Sequence, residues 1–197
     1  MRKSGSIQVL TASALLIAVG IVIPMFSPLK IVLEPASFTL ASHVAIFLSL
    51  FISPLAAVAV TAGTTLGFFL GGFPIVIVLR AASHIVFAVV GSVVLQRRPS
   101  VVQGTAKAQL FSFFIAVIHA ACEVAVVSAF YFGGSMAGGY YARGFATSVL
   151  GLVGVGSIVH SMVDFAIALL ILKVLARQKG LEKLFRYNPY NSARPAA

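Results

Sequence analysis

Three pairs of ionisable residues are spaced for joint chemistry. His119 and Glu123 stand four apart in HAACE, His160 and Asp164 in HSMVD, and Arg80 and His84 in RAASH. On a helix, residues four apart share one face. Each face extends further: Ile77, Arg80, His84 and Phe87; Ser112, His119, Glu123 and Phe130; Ser157, His160, Ser161 and Asp164. Thr39 and His43 make a shorter fourth stripe. Such sets can bind a polar ligand, coordinate a metal, or fasten helices together by hydrogen bonds. His43 alone reads equally well as a structural histidine or a ligand contact.

The surroundings of these residues decide between those options. The chain has 197 residues, of which 60% are hydrophobic and only 9% charged, and a mean hydropathy of +1.07. A soluble domain of this size cannot cover so much apolar surface. An integral membrane protein follows, with the lipid bilayer as its solvent. The apolar runs predict an all-α protein of six transmembrane helices in one bundle. They cover residues 7–25, 38–52, 55–70, 73–95, 108–132 and 147–172. The division between the second and third is the weakest, because a re-entrant pair leaves the same hydropathy trace. The charged N-terminus lacks an A-x-A cleavage site and reads as an uncleaved first helix. Cys122 is the single cysteine, so no internal disulfide is expected, and it reads as plain packing.

Charge sets the expected orientation. Arg2, Lys3, Arg97, Arg98, Lys107, Lys173, Arg177, Lys179, Lys183, Arg186 and Arg194 all fall on one face of a six-span arrangement. Lys30 and Arg143 fall on the other. The positive-inside rule then places both termini in the cytoplasm. The formal net charge of +10 is explained by these loops and signals no nucleic-acid partner.

Arg80 and Glu123 therefore lie within spans, roughly 10–14 Å deep at 1.5 Å rise per residue. An ionised side chain facing lipid costs about 2.5–3.5 kcal/mol even on lenient insertion scales. Placing several on matching faces is economical only if those faces meet. A polar cavity lined by spans four, five and six is the expected result. A metal transporter using His119/Glu123 and His160/Asp164 is the competing reading, since those are zinc, manganese or nickel ligand types. Against it, Arg80 would repel the ion. A scaffold without ligand is the third reading. No G-x-S-x-G, H-E-x-x-H or Walker A sequence is present, so no enzyme activity, resident metal or cofactor is expected. Small residues also recur at four-residue intervals, which permits close helix approach. Gly63, Gly67 and Gly71 suit internal packing, whereas Ala14 and Ala18 suit a docking surface for another membrane protein.

With these features in view, the chain resembles the substrate-binding S components of energy-coupling factor (ECF) vitamin transporters. The resemblance covers nearly the whole chain. It rests on the length, the six apolar runs, the Ala14-x-x-x-Ala18 motif, and the segments EPASFTLASHVAIFLSLFISP and GFPIVIVLRAASHIVFAVVG. The latter two are similar to S components for small heterocyclic vitamins. The resemblance implies a binding subunit in the bacterial cell membrane that captures a vitamin from outside. It then topples against a membrane T component driven by two cytosolic ATPases. It further implies ligand contacts from Arg80, His84, His119, Glu123, His160 and Glu34, with Tyr140 and Tyr141 stacking over the ring. The loops 26–37 and 133–146 would form a lid. Asp164 is deep for such a pocket. Hydroxymethylpyrimidine or pyridoxine suits the carboxylates and histidines, and niacin, whose carboxylate Arg80 could clamp, comes next.

Overall fold

The computed structural model describes residues 3–33, 36–136, 138–178, 180–181 and 183–190; side-chain surroundings are described for these except at residues 3–5, 30–33, 36, 37 and 140. Glu34, expected at the site, lies outside the described residues, as do Arg2, Lys179 and Arg194.

The chain is an all-α membrane protein carrying one short hairpin. Its elements run α1 (Lys3–Phe26), β1 (Lys30–Leu33), β2 (Ala36–Thr39), α2 (Val44–Leu50), α3 (Pro54–Leu70) and α4 (Ile75–Arg97). A 3-10 turn (Pro99–Val102), α5 (Thr105–Phe132), α6 (Gly138–Ala142), a π-helical segment (Ala146–Val155) and α7 (Gly156–Leu175) follow. Among the described residues, four helices are long and apolar enough to cross a bilayer: 6–26, 75–97, 105–132 and 146–175. The last joins the π segment to α7. Their outward faces carry large apolar side chains such as Leu10, Leu15, Phe114, Val159 and Leu170, the surface that lipid requires.

Two expected boundaries are corrected. The first helix begins earlier than expected, at Lys3, and runs through Pro24 to Phe26. The second expected span, 38–52, is not one helix. Phe38 and Thr39 belong to the hairpin, in which Ile31 pairs with Phe38 and Leu33 with Ala36. Only Val44–Leu50 is helical, and seven residues rise about 10 Å, too little to cross a bilayer. The run is apolar for a different reason: all seven residues of α2 are buried inside the bundle. α3, at 17 residues, is apolar but shorter than the four long helices.

Non-helical backbone at membrane depth must be satisfied by protein or line a cavity. Asp164 of α7 supplies the satisfaction. Its Oδ1 accepts the N–H of Ala41 at 2.7 Å, and its Oδ2 accepts the N–H of His43 at 2.9 Å. Ala41 has φ of 68°, a left-handed conformation that disfavours a Cβ. His43 caps α2, where the carboxylate meets the positive end of the helix dipole.

The core below this turn is aromatic. Phe47 of α2 packs on Phe87 of α4 (ring centroids 5.5 Å apart) and edge-on to Phe165 of α7 (5.3 Å). After α7 the chain folds back beneath the bundle. Leu184 and Phe185 join the same core, and the Tyr187 N–H donates to the Phe51 carbonyl. Gly63 and Gly67 bring α3 against α1: a Cβ on Gly67 would stand 2.3 Å from Ile21, and one on Gly63 2.7 Å from Ile17. Gly63 and Gly67 are thus internal packing, as expected, whereas Gly71, the third of the row, is exposed at the end of α3. Ala14 and Ala18 instead lie on the exposed side of α1.

Candidate functional site

Above the phenylalanines, the polar faces of α4, α5 and α7 meet. Arg80 and Glu123 form a two-point ion pair, Nε to Oε1 at 3.2 Å and Nη2 to Oε2 at 3.0 Å. The Ser157 hydroxyl also donates to Glu123 Oε2, and His84 Nε2 lies 3.2 Å from Oε1. All four side chains are buried. A carboxylate with this many donors is a fixed anion, and it holds the guanidinium in one orientation.

All four histidines of the sequence gather here. His43 sits at the centre, with ring centroids 4.8 Å from His84, 4.7 Å from His119 and 5.0 Å from His160. His84 and His119 are 4.6 Å apart. His43 Nδ1 lies 3.1 Å from Asp164 Oδ2, and His160 Nε2 lies 3.1 Å from the Ser42 hydroxyl and 3.4 Å from Asp164 Oδ2. The α2 turn is therefore what carries a fourth polar element into the site.

A cavity of about 220 Å³ opens against this cluster. Its polar wall is Thr39, Ser42, His43, Thr64, Arg80, His84, Glu123, Ser157 and His160; its apolar wall includes Pro24, Phe38, Phe68, Phe73 and Ile77. Gly156 lets Phe38 in, since a Cβ there would come 2.5 Å from the ring. The Thr64 hydroxyl is buried with no partner among the described residues. The volume suits a single-ring molecule better than a large one.

Of the residues expected at the site, Arg80, His84, His119, Glu123 and His160 are brought together. His119 stands behind the cavity wall, wholly buried between His43, His84 and Phe87. Tyr141 lies elsewhere: its ring packs on Tyr131 at 4.8 Å, and its hydroxyl donates to the Tyr131 carbonyl. The side chain of Tyr140 is not among those described. Sequence reasoning missed Ser42, Phe38, Thr64 and Phe73; of these only Thr64 had a helical signal, being four residues before Phe68 on the buried face of α3. Ser157 was visible on the α7 stripe. The expected metal-cargo pairs have little to offer an ion, because Glu123 is engaged by Arg80 and Ser157, and Asp164 by two backbone N–H groups.

Fold and comparison together define a multi-pass protein of the cell membrane, with a partly polar cavity embedded among its helices. The chain is 40% identical over 175 residues to the niacin transporter NiaX of Lactococcus lactis subsp. cremoris (strain MG1363), covering 89% of this chain and 78% of that protein. It belongs to the family of that transporter. No family model and no solved structure matches the chain.

Proposed function

We propose that the protein is the membrane-embedded binding subunit, the S component, of an ECF importer, and that its ligand is niacin. One observation carries the choice of ligand: the Arg80 guanidinium lines the cavity and is oriented by a two-point bond to Glu123, which lines the same wall. A guanidinium has five N–H donors. The two bonds to Glu123 leave the others for a ligand carboxylate, in the paired geometry arginine favours. Glu123 is thereby a positioning residue and not a competitor for Arg80. The name of the NiaX relative supports the same choice, and niacin moves ahead of hydroxymethylpyrimidine and pyridoxine.

The pyridine ring would lie among Phe38, Phe68 and Phe73, with its nitrogen toward the Ser42–His160 hydroxyl–imidazole pair. Transport would follow by toppling against a T component worked by two cytosolic ATPases. The exposed Ala14 and Ala18 support a close-docking face on α1. The cavity would open to the outside, with both termini in the cytoplasm. Thermal unfolding of purified protein against a vitamin panel tests the reading. Stabilisation by niacin above the other vitamins is expected; stabilisation by pyridoxine or hydroxymethylpyrimidine instead overturns the choice.

A further inference from the structure

The histidine cluster contains more than niacin capture uses. His119 is fully buried, does not line the cavity, and neither of its ring nitrogens has a hydrogen-bond partner among the described residues. An imidazole buried in this way is expensive to leave unsatisfied. One nitrogen from each of His43, His84 and His119 falls within 4.8 Å of the other two. Each of the three also has a carboxylate beside one ring nitrogen: Asp164 at 3.1 Å from His43 Nδ1, Glu123 at 3.2 Å from His84 Nε2, and Glu123 at 3.5 Å from His119 Nε2. Metal-binding histidines commonly have a carboxylate as an outer partner, and Glu123 stands near two of these three imidazoles.

We propose that His43, His84 and His119 form a zinc site at the floor of the cavity. Three imidazoles suit zinc, with Zn–N bonds of about 2.0–2.1 Å. That bond length sets ligand nitrogens about 3.4 Å apart in a tetrahedron, a contraction reachable by small side-chain rotations. His43 and His84 line the cavity and His119 stands behind them, so the fourth position faces the cavity and takes water or a ligand atom. Charge favours the ion. With the acids ionised and the imidazoles neutral, Arg80, Glu123 and Asp164 leave the cluster one negative charge in excess. The Arg80 charge that would repel a metal is held on Glu123. The alternative grouping of His43, His160 and Asp164 is weaker, because both Asp164 oxygens already accept backbone N–H groups.

The test uses tag-free, full-length protein in detergent or nanodiscs, with no vitamin present, so its outcome is independent of the niacin reading. Protein is stripped with chelator, loaded with zinc, dialysed and assayed for metal by mass spectrometry. About one zinc per chain is expected, and cobalt in its place should give the visible absorption of a tetrahedral nitrogen-rich site. His119→Gln and His84→Gln should each lose the metal and the cobalt spectrum, while Cys122→Ser keeps both. Wild-type protein that retains no zinc after dialysis overturns the proposal, whatever the variants do. So does zinc that survives both histidine substitutions.

Discussion

Asp164 on α7 reaches 121 positions back along the chain to accept the backbone N–H of His43 at 2.9 Å. The same carboxylate takes the N–H of Ala41 at 2.7 Å. One acid thus pins the irregular backbone that carries Ser42 and His43 into the polar centre of the bundle. Asp164→Ala removes both bonds and leaves two buried N–H donors unpaired. Hydrogen bonds to a charged group contribute about 1.5–3 kcal/mol each, so a loss of roughly 3–6 kcal/mol is expected. Thermal unfolding in detergent measures it. Asp164→Asn keeps the shape but not the charge and should lie between the two. An unchanged melting temperature for Asp164→Ala would show that the turn is held by something else.

The Arg80–Glu123 pair should behave differently. Arg80→Ala and Glu123→Ala are each expected to lower vitamin affinity at least tenfold, about 1.4 kcal/mol. Each also strands one buried charge, a cost of about 3–5 kcal/mol in stability. The double replacement Arg80→Leu with Glu123→Leu removes both charges. It should be more stable than either single variant while still failing to bind. Calorimetry for affinity and thermal unfolding for stability separate the two effects. Unchanged affinity in both single variants would mean that the site is misplaced.

Gly156 offers a test of the apolar wall. A methyl group there meets the Phe38 ring at 2.5 Å, and the ring must shift toward the cavity it borders. Gly156→Ala should weaken vitamin binding severalfold with the bundle intact. If affinity is unchanged, Phe38 does not shape the ligand's position.

Small residues on α1 and α3 divide into two kinds. Ala14→Trp and Ala18→Trp add bulk to an exposed face and should abolish cellular uptake while leaving vitamin binding as it was. Gly67→Leu drives a side chain into Ile21 and should instead destabilise the purified protein. Uptake that survives tryptophan at both alanines would remove the docking role from α1.

Much of the site was legible because helices repeat. The pairs Arg80/His84, His119/Glu123 and His160/Asp164 announce their faces by spacing alone, and buried charge explains why those faces must meet. Four of the six apolar runs became long helices for the same reason. The α2 region was harder to read. Hydropathy reports that residues 38–52 avoid water, and it does so equally for a lipid-facing helix and for a buried half-helix behind a hairpin. His43 gave no strong signal because its partners, Asp164 and His160, lie far away in sequence. Tyr141 was expected to stack over the ligand ring only by the resemblance, with no spacing signal of its own, and its stacking partner is Tyr131.

Calorimetric titration of the purified protein with niacin and with nicotinamide bears most directly on the carboxylate clamp at Arg80. The two ligands share a ring and differ in charge. Niacin is expected to bind one-to-one with a Kd on the order of a micromolar or tighter, and nicotinamide at least about tenfold more weakly. Equal affinities, or no heat from niacin at all, would contradict capture of this vitamin by the Arg80–Glu123 centre.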